Sequence, residues 1–146
     1  MREIKFRVWD KDNSQMYYQT EDFKDLALIN GQFKPVLNNL INNSFNWYRR
    51  NYELMQYTGL KDKNGTEIYE GDIVTYSVKG FKKINKTVMT FNEEHGAYLF
   101  GIYEGVKMPC GKKTRMNKYT RKSVNNVEVI GNIYQNPELL EGVDND

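Results

Sequence analysis

The first residues of the chain alternate between apolar and polar positions. Ile4, Phe6 and Val8 are separated by charged residues, which is the period-two pattern of a strand with one solvated face. The polar run at residues 10–14 favours a turn, because its Asp, Asn and Ser side chains bond to their own backbone. Aromatic residues follow it and indicate a returning strand, so residues 1–19 are predicted to form a β-hairpin that joins the main β domain.

Residues 20–50 show apolar residues at helical rather than strand spacing, and the sequence predicts a partly helical insertion here. Thr20 is a suitable N-cap for a helix over residues 21–29. The Asn30-Gly31 pair that follows is expected to end this helix, since both residue types are common just past a helix C-terminus.

A second helix of about ten residues is predicted to begin at Pro35, a residue type that is favoured in the first helical turn. Apolar residues then recur at amphipathic spacing as far as Phe45. Asn is frequent among the intervening positions and is a weak helix former. We therefore expect this helix to need packing against a neighbouring element or subunit.

From residue 51 to residue 140 the pattern is that of short strands. Asn64-Gly65 lies between two strand-like runs and is a strong hairpin signal, because both residues accept positive φ. Glycines at 71 and 131 indicate bends. The predicted fold class is mainly β (α+β), with a small curled sheet or partly open barrel and the short helical N-terminal insertion. A basic loop at 104–123 interrupts this core, and an acidic tail at 141–146 follows it.

The bulk composition is that of a soluble globular protein. The chain has 146 residues, of which 39% are hydrophobic and 27% charged. It contains no apolar run of the roughly 20 residues that would span a bilayer, so no membrane partner is expected. Cys110 is the single cysteine and cannot form an intramolecular disulfide, which fits the reducing environment of the cytoplasm.

Three sequence blocks resemble a known family. They are MREIKFRVWD at 1–10, YTGLKDKNG at 57–65 with EIYEGDIV at 67–74, and VIGNIY at 129–134 with NPELL at 136–140. Together they resemble the YopX family of small phage and prophage proteins. The resemblance implies a mainly β C-terminal part, a variable and partly helical N-terminal insertion, assembly into homo-oligomers, and residence in the host bacterial cytoplasm. It implies no catalytic residue and no cofactor.

The residues that could carry chemistry give no catalytic or metal site. One Cys and one His are too few for structural zinc. Glu67, Glu70 and Asp72 lack a calcium-loop pattern and are interpreted as a solvated acidic corner. Cys110 would need His95 as a base, and both lie in predicted loops. We therefore expect no catalytic, cofactor-binding or metal-binding residues, and no enzyme activity.

Positive charge is concentrated in one part of the chain. Residues 79–122 contain eleven Lys or Arg residues and three Glu residues, whereas the remainder contains ten basic and sixteen acidic residues. Basic side chains neutralise phosphates and a tyrosine can stack on a base, so this run is a candidate nucleic-acid or partner surface, with a solvated loop as the alternative. Its residues are Lys112, Lys113, Arg115, Lys118, Tyr119, Arg121 and Lys122.

A second aromatic and basic cluster consists of Trp47, Tyr48, Arg49 and Arg50. Trp, Tyr and Arg dominate binding energy at protein interfaces, so the cluster is a candidate protein interface. The alternative is that the aromatic rings pack in the core while the arginines extend their charged ends to solvent.

The sequence thus favours a non-enzymatic phage or prophage accessory protein. It is expected to act through homo-oligomerisation and through contact with a host or phage macromolecule of unknown identity. The alternative is a DNA- or RNA-binding protein that uses the basic stretch 107–122.

Overall fold

The computed structural model divides into two compact units, Met1–Tyr57 and Thr58–Asp146, here called unit 1 and unit 2. Its regular structure is almost entirely strand, which confirms the mainly β prediction. No helix within the described part of the chain is long and apolar enough to cross a membrane. The structure describes residues 3–37, 49–80, 82, 84–93, 96–99 and 124–141.

Unit 1 is built around its first strand, which lies between two antiparallel neighbours and contains the fully buried Val8. The predicted N-terminal hairpin is present as β1 and β2. Strand β5 contains the division between the units: its residues up to Tyr57 belong to unit 1, and its last residues belong to unit 2. The strands are β1 Phe6–Asp10, β2 Gln15–Tyr18, β3 Phe23–Ile29, β4 Gln32–Leu37 and β5 Tyr52–Lys61.

The helix predicted over residues 21–29 is wrong, because this segment forms strand β3, antiparallel to β4. Asn30 and Gly31 both have positive φ, 51° and 77°, and join the two strands as a two-residue turn. The second predicted helix begins at Pro35, and this residue instead lies in β4. A two-stranded sheet has only edge strands, where proline is tolerated. The remainder of that predicted helix falls outside the described residues.

Unit 2 contains a three-stranded antiparallel sheet of order β11-β7-β8 and a separate β9–β10 hairpin. A buried cluster of Ile68, Val74, Tyr76, Met89 and Val127 forms its core. The predicted Asn64-Gly65 turn joins β5 to β6, with Gly65 at φ 87°. The elements are β6 Glu67–Tyr69, β7 Asp72–Val78, β8 Ile84–Val88, β9 Thr90–Asn92, β10 Ala97–Leu99, β11 Val124–Asn132 and a 3-10 helix Pro137–Leu140.

The bends predicted at Gly71 and Gly131 are both present in unit 2, and each has a structural cause. Gly71 has φ 81° between β6 and β7, its N–H donates to Met89 O at 2.9 Å, and its carbonyl accepts from Ile133 N at 2.9 Å. Gly131 lies at a register shift of β11. A Cβ there would lie 2.5 Å from Asn136 Oδ1, so only glycine fits without displacing that side chain.

Candidate functional site

Of the residues predicted to form functional surfaces, two lie in the described part of the chain. Arg49 is exposed and Arg50 is half-buried, and Asn51 separates them from β5, which begins at Tyr52. Trp47 and Tyr48, together with the whole candidate basic surface from Lys112 to Lys122, fall outside the described residues.

Arg50 is held by a buried carboxylate. Asp10, the last residue of β1, is 0% exposed, and its Oδ2 lies 3.2 Å from Arg50 Nη1. The same carboxylate accepts hydrogen bonds from the backbone N–H of Asp12 at 3.0 Å and of Asn13 at 3.1 Å. The side-chain amide of Asn13 donates to Oδ2 at 3.0 Å. This buried carboxylate therefore has two neutral donors at Oδ1 and one neutral and one charged donor at Oδ2, as burial of a charge requires.

A second cation, on the β3–β4 hairpin, binds the backbone beside Arg50. Lys34 of β4 is buried, and its Nζ donates to the carbonyl of Arg50 at 2.8 Å. This ammonium also lies 6.0 Å from the centre of the Tyr52 ring, a distance at which a cation is attracted to an aromatic face. The backbone N–H of Asn51 donates to Asp12 Oδ2 at 2.9 Å. Residues 50–52 are thus held by both the β1–β2 turn and β4.

The two tyrosines beside this cluster are neutral phenols at physiological pH. Burial raises the pKa of Tyr52 to about 12, the Asp10 carboxylate adds to the effect, and the Arg50 guanidinium opposes it. Burial, followed by Asp10, also raises the pKa of Tyr17. The cluster of Asp10, Tyr17, Lys34, Arg50 and Tyr52 is here called the Asp10 anchor, and in it the buried Asp10 carboxylate holds the Arg50 guanidinium.

The three carboxylates of the acidic corner have separate partners. Glu67 accepts a hydrogen bond from the hydroxyl of Tyr69 at 2.9 Å, and Glu70 accepts one from the hydroxyl of Tyr98 at 3.0 Å. Asp72 is buried and accepts from the backbone N–H of Tyr69 at 2.8 Å. Within the described ranges, no group of three or more His, Cys, Asp or Glu residues is placed to hold a metal ion.

An apolar surface that the sequence did not predict lies on the β3–β4 hairpin. Leu28 and Phe33 are direct cross-strand partners next to the turn, and they are 64% and 53% exposed. The next pair on the same side is Leu26 and Pro35, of which Leu26 is half-buried and Pro35 is buried. These four residues, here called the hairpin face, form a stripe that is buried at its base and exposed at its tip.

The family model described as YopX protein matches residues 5–141 of this chain. The chain belongs to the YopX family. Protein EF1440 from Enterococcus faecalis is a similar solved structure, with 30% identity over 97% of this chain and 100% of that chain and a TM-score of 0.54. Protein yopX from Bacillus subtilis is another, with 24% identity over 99% of this chain and 100% of that chain and a TM-score of 0.55. No curated protein matches the chain.

The middle and closing YopX blocks are joined in unit 2 by the loop between β5 and β6. Asp62 in this loop accepts a hydrogen bond from the backbone N–H of Val129 at 3.1 Å. The backbone N–H of Lys63 donates to Val127 O at 2.8 Å, and its Nζ lies 2.6 Å from a carboxylate oxygen of Glu128. In this YopX protein, Asp62 and Lys63 of the middle block therefore dock the β5–β6 loop on β11.

Sequence reasoning missed the residues of the Asp10 anchor other than Arg50, and it missed the hairpin face. Asp10 and Lys34 lie in polar or mixed stretches that carry no local signal for an ion pair. The hairpin face did have a signal, because Asn30-Gly31 between two apolar runs is also a hairpin sequence.

Proposed function

We propose that this YopX protein is a non-enzymatic phage or prophage accessory protein that acts as a homo-oligomer and associates through its hairpin face. The observation that carries the proposal is the exposed Leu28–Phe33 pair on a two-stranded sheet. The family resemblance supports it, since it implies a phage or prophage protein that assembles into homo-oligomers.

A second copy is the occupant that best fits this surface. A two-stranded hairpin is at most marginally stable alone, and contiguous exposed apolar side chains mark interaction sites. Full burial of a Leu or Phe side chain contributes about 1.5–3 kcal/mol, so a two-fold contact that buries this pair from each copy gains several times that amount before the costs of association. The exposed charges on β3 are one lysine, Lys24, and one aspartate, Asp25, so two copies meet without net like charge.

Replacing both Leu28 and Phe33 by serine is expected to convert the oligomer to monomer, because the apolar area that drives association is lost. The measurement is light-scattering mass of the purified full chain, with circular dichroism to check the fold. Ile84→Ser is the matched control, since Ile84 is 73% exposed in unit 2, and its mass should equal that of the wild type. A monomeric wild type would refute homo-oligomerisation. An oligomeric double variant would refute the hairpin face as its surface.

The charge asymmetry of the chain favours a second candidate function, which is DNA or RNA binding through residues 107–122. Contact of lysine and arginine with phosphates releases counterions, so the affinity should fall steeply as salt is added. Tyr119 lies among the basic residues and would supply a stacking surface for an unpaired base.

Replacing Lys112, Lys113, Arg115, Lys118, Arg121 and Lys122 together by glutamine is expected to abolish nucleic-acid binding. Fluorescence anisotropy of labelled duplex and single-stranded DNA, read at several salt concentrations, measures the affinity and its salt slope. A wild type that binds neither probe at low salt, or a variant whose affinity is unchanged, would contradict this second function.

A further inference from the structure

The chain contains two Asn-Gly pairs, and the structure places both in tight turns. Asn30-Gly31 joins β3 to β4, and Asn64-Gly65 lies in the loop between β5 and β6. Asn is a chemically labile residue, and a glycine after it leaves the backbone nitrogen open to close approach because glycine has no side chain. The two pairs therefore have the same intrinsic chemistry, and their surroundings decide how fast each one reacts.

The Asn64-Gly65 turn is held by hydrogen bonds. The backbone N–H of Asn64 donates to Asp62 Oδ1 at 2.8 Å, and that of Gly65 donates to Asp62 O at 3.2 Å. The side-chain amide of Asn64 donates to Glu128 Oε1 at 3.5 Å. The two groups that would react, the Asn64 amide and the Gly65 nitrogen, are thus both engaged in hydrogen bonds.

The Asn30-Gly31 turn lacks these restraints. Both residues are exposed, and a Cβ on Gly31 would meet nothing within 4 Å. In the described part of the chain, the Asn30 side chain and the Gly31 N–H have no hydrogen-bond partner. The pairing of Ile29 with Gln32 closes the turn beneath them. The Asn30 amide is therefore free to rotate toward the Gly31 nitrogen, and water has access to both groups.

We infer that Asn30 is a self-modification site, at which the side-chain amide is lost through a succinimide. The Gly31 nitrogen attacks Asn30 Cγ and forms a C–N bond. The bond from Cγ to Nδ2 breaks, and ammonia leaves with the proton of the Gly31 nitrogen. Water then opens the ring at one of its two carbonyl carbons. Opening at Cγ gives aspartate, whereas opening at the backbone carbonyl carbon gives isoaspartate, whose main chain is longer by one carbon.

The modification acts on the hairpin face, and this effect rests on the proposed function. Both products add a negative charge at the tip of the hairpin, close to the exposed Leu28 and Phe33. Isoaspartate also lengthens a two-residue turn whose residues adopt φ 51° and 77°. Burial of an unpaired charge is costly, so both changes oppose a contact between copies at this surface. Self-association should therefore decrease as the protein ages.

The test ages the purified full-length protein at mildly alkaline pH, where the attacking nitrogen loses its proton more readily. Peptide mapping by mass spectrometry at successive times measures conversion at both Asn residues, and enzymatic labelling identifies isoaspartate. In the folded protein, Asn30 should convert about tenfold faster than Asn64 or more, because the Asn64 turn must first break hydrogen bonds. In guanidinium chloride the two rates should converge, since unfolding removes these restraints.

Asn30→Gly is the matched control, because Gly-Gly also suits a two-residue turn and carries no amide. The light-scattering mass of the wild type should fall with age, while this variant keeps its mass, and circular dichroism checks the fold. An Asn30 that stays intact, or that converts no faster than Asn64 in the folded protein, would refute the inference. Conversion at Asn30 without loss of mass would refute its effect on the hairpin face. A freshly purified wild type that is monomeric would refute the proposed function and leave the modification site standing.

Discussion

Replacing Asp10 by alanine is expected to lower the free energy of unfolding by about 3 kcal/mol, since breaking a buried ion pair leaves an uncompensated charge. The Asp10 carboxylate is fully buried and receives one charged donor, Arg50, besides three neutral donors from the turn that follows β1. Arg50 remains 27% exposed and recovers some solvation, so the loss should lie at the lower end of the range for buried pairs.

Urea unfolding followed by tyrosine and tryptophan fluorescence measures this loss. Asp10→Asn adds a second comparison, because it keeps the side-chain shape and removes the charge that pairs with Arg50. The matched control is Glu53→Ala, which removes an ion pair with Lys11 in the same unit. Both partners of that pair are exposed, so it should contribute less than about 1 kcal/mol. An Asp10→Ala variant as stable as this control would show that the carboxylate does not hold the anchor together.

The elements that sequence reasoning predicted correctly are those whose signal is local. The first hairpin follows from strict alternation around a polar turn, and the β5–β6 hairpin follows from Asn64-Gly65. Asn30-Gly31 is the same dipeptide, but Phe23, Leu26 and Ala27 before it lie at helical spacing, which predicts a helix that ends at this pair. The same residues belong to a short, largely apolar segment that fits a strand as well as a helix, and periodicity alone does not decide between them. The positive φ at both turn residues shows that the turn chemistry was the better guide.

The Asp10 anchor could not be predicted in the same way, because register rather than local pattern assembles it. Asp10 pairs with Tyr52 across β1 and β5, which brings together residues that are forty-two positions apart in the chain. Lys34 reaches the same place only because residues 23–37 form a hairpin. A helix in that segment, as the sequence predicted, would have given Lys34 no defined relation to Arg50.

Replacing Asp62 by asparagine is expected to destabilise the protein by about 2 kcal/mol at pH 7, since hydrogen bonds to charged groups contribute more than neutral ones. Asp62 is buried in the loop that joins the two YopX blocks. Burial acts to raise the pKa of this carboxyl, but the backbone N–H groups of Val129, Thr66 and Asn64 outweigh it and hold the pKa below its usual range. An asparagine amide would place an NH2 group against one of these donors.

This mechanism gives the Asp62→Asn effect a defined pH dependence. Because the folded-state pKa lies below the unfolded value of about 3.9, the folded protein binds fewer protons between the two values, and stability rises with pH there. The contribution of Asp62 is therefore complete above the unfolded pKa and is lost as pH falls through the folded pKa. The difference in unfolding free energy between wild type and variant should shrink as urea titrations move from pH 7 to pH 3.

Glu128→Gln provides the control for this measurement, since it removes the partner of Lys63 in the same loop contact. Both side chains of that pair are more than a third exposed, so its contribution should be below about 1 kcal/mol. If the Asp62→Asn difference stayed constant from pH 7 to pH 3, the carboxylate charge would not be the stabilising feature. Loop shape alone would then account for the docking of the middle YopX block on β11. If the difference in unfolding free energy instead disappears as the pH falls, the stability of unit 2 depends on the ionisation of Asp62.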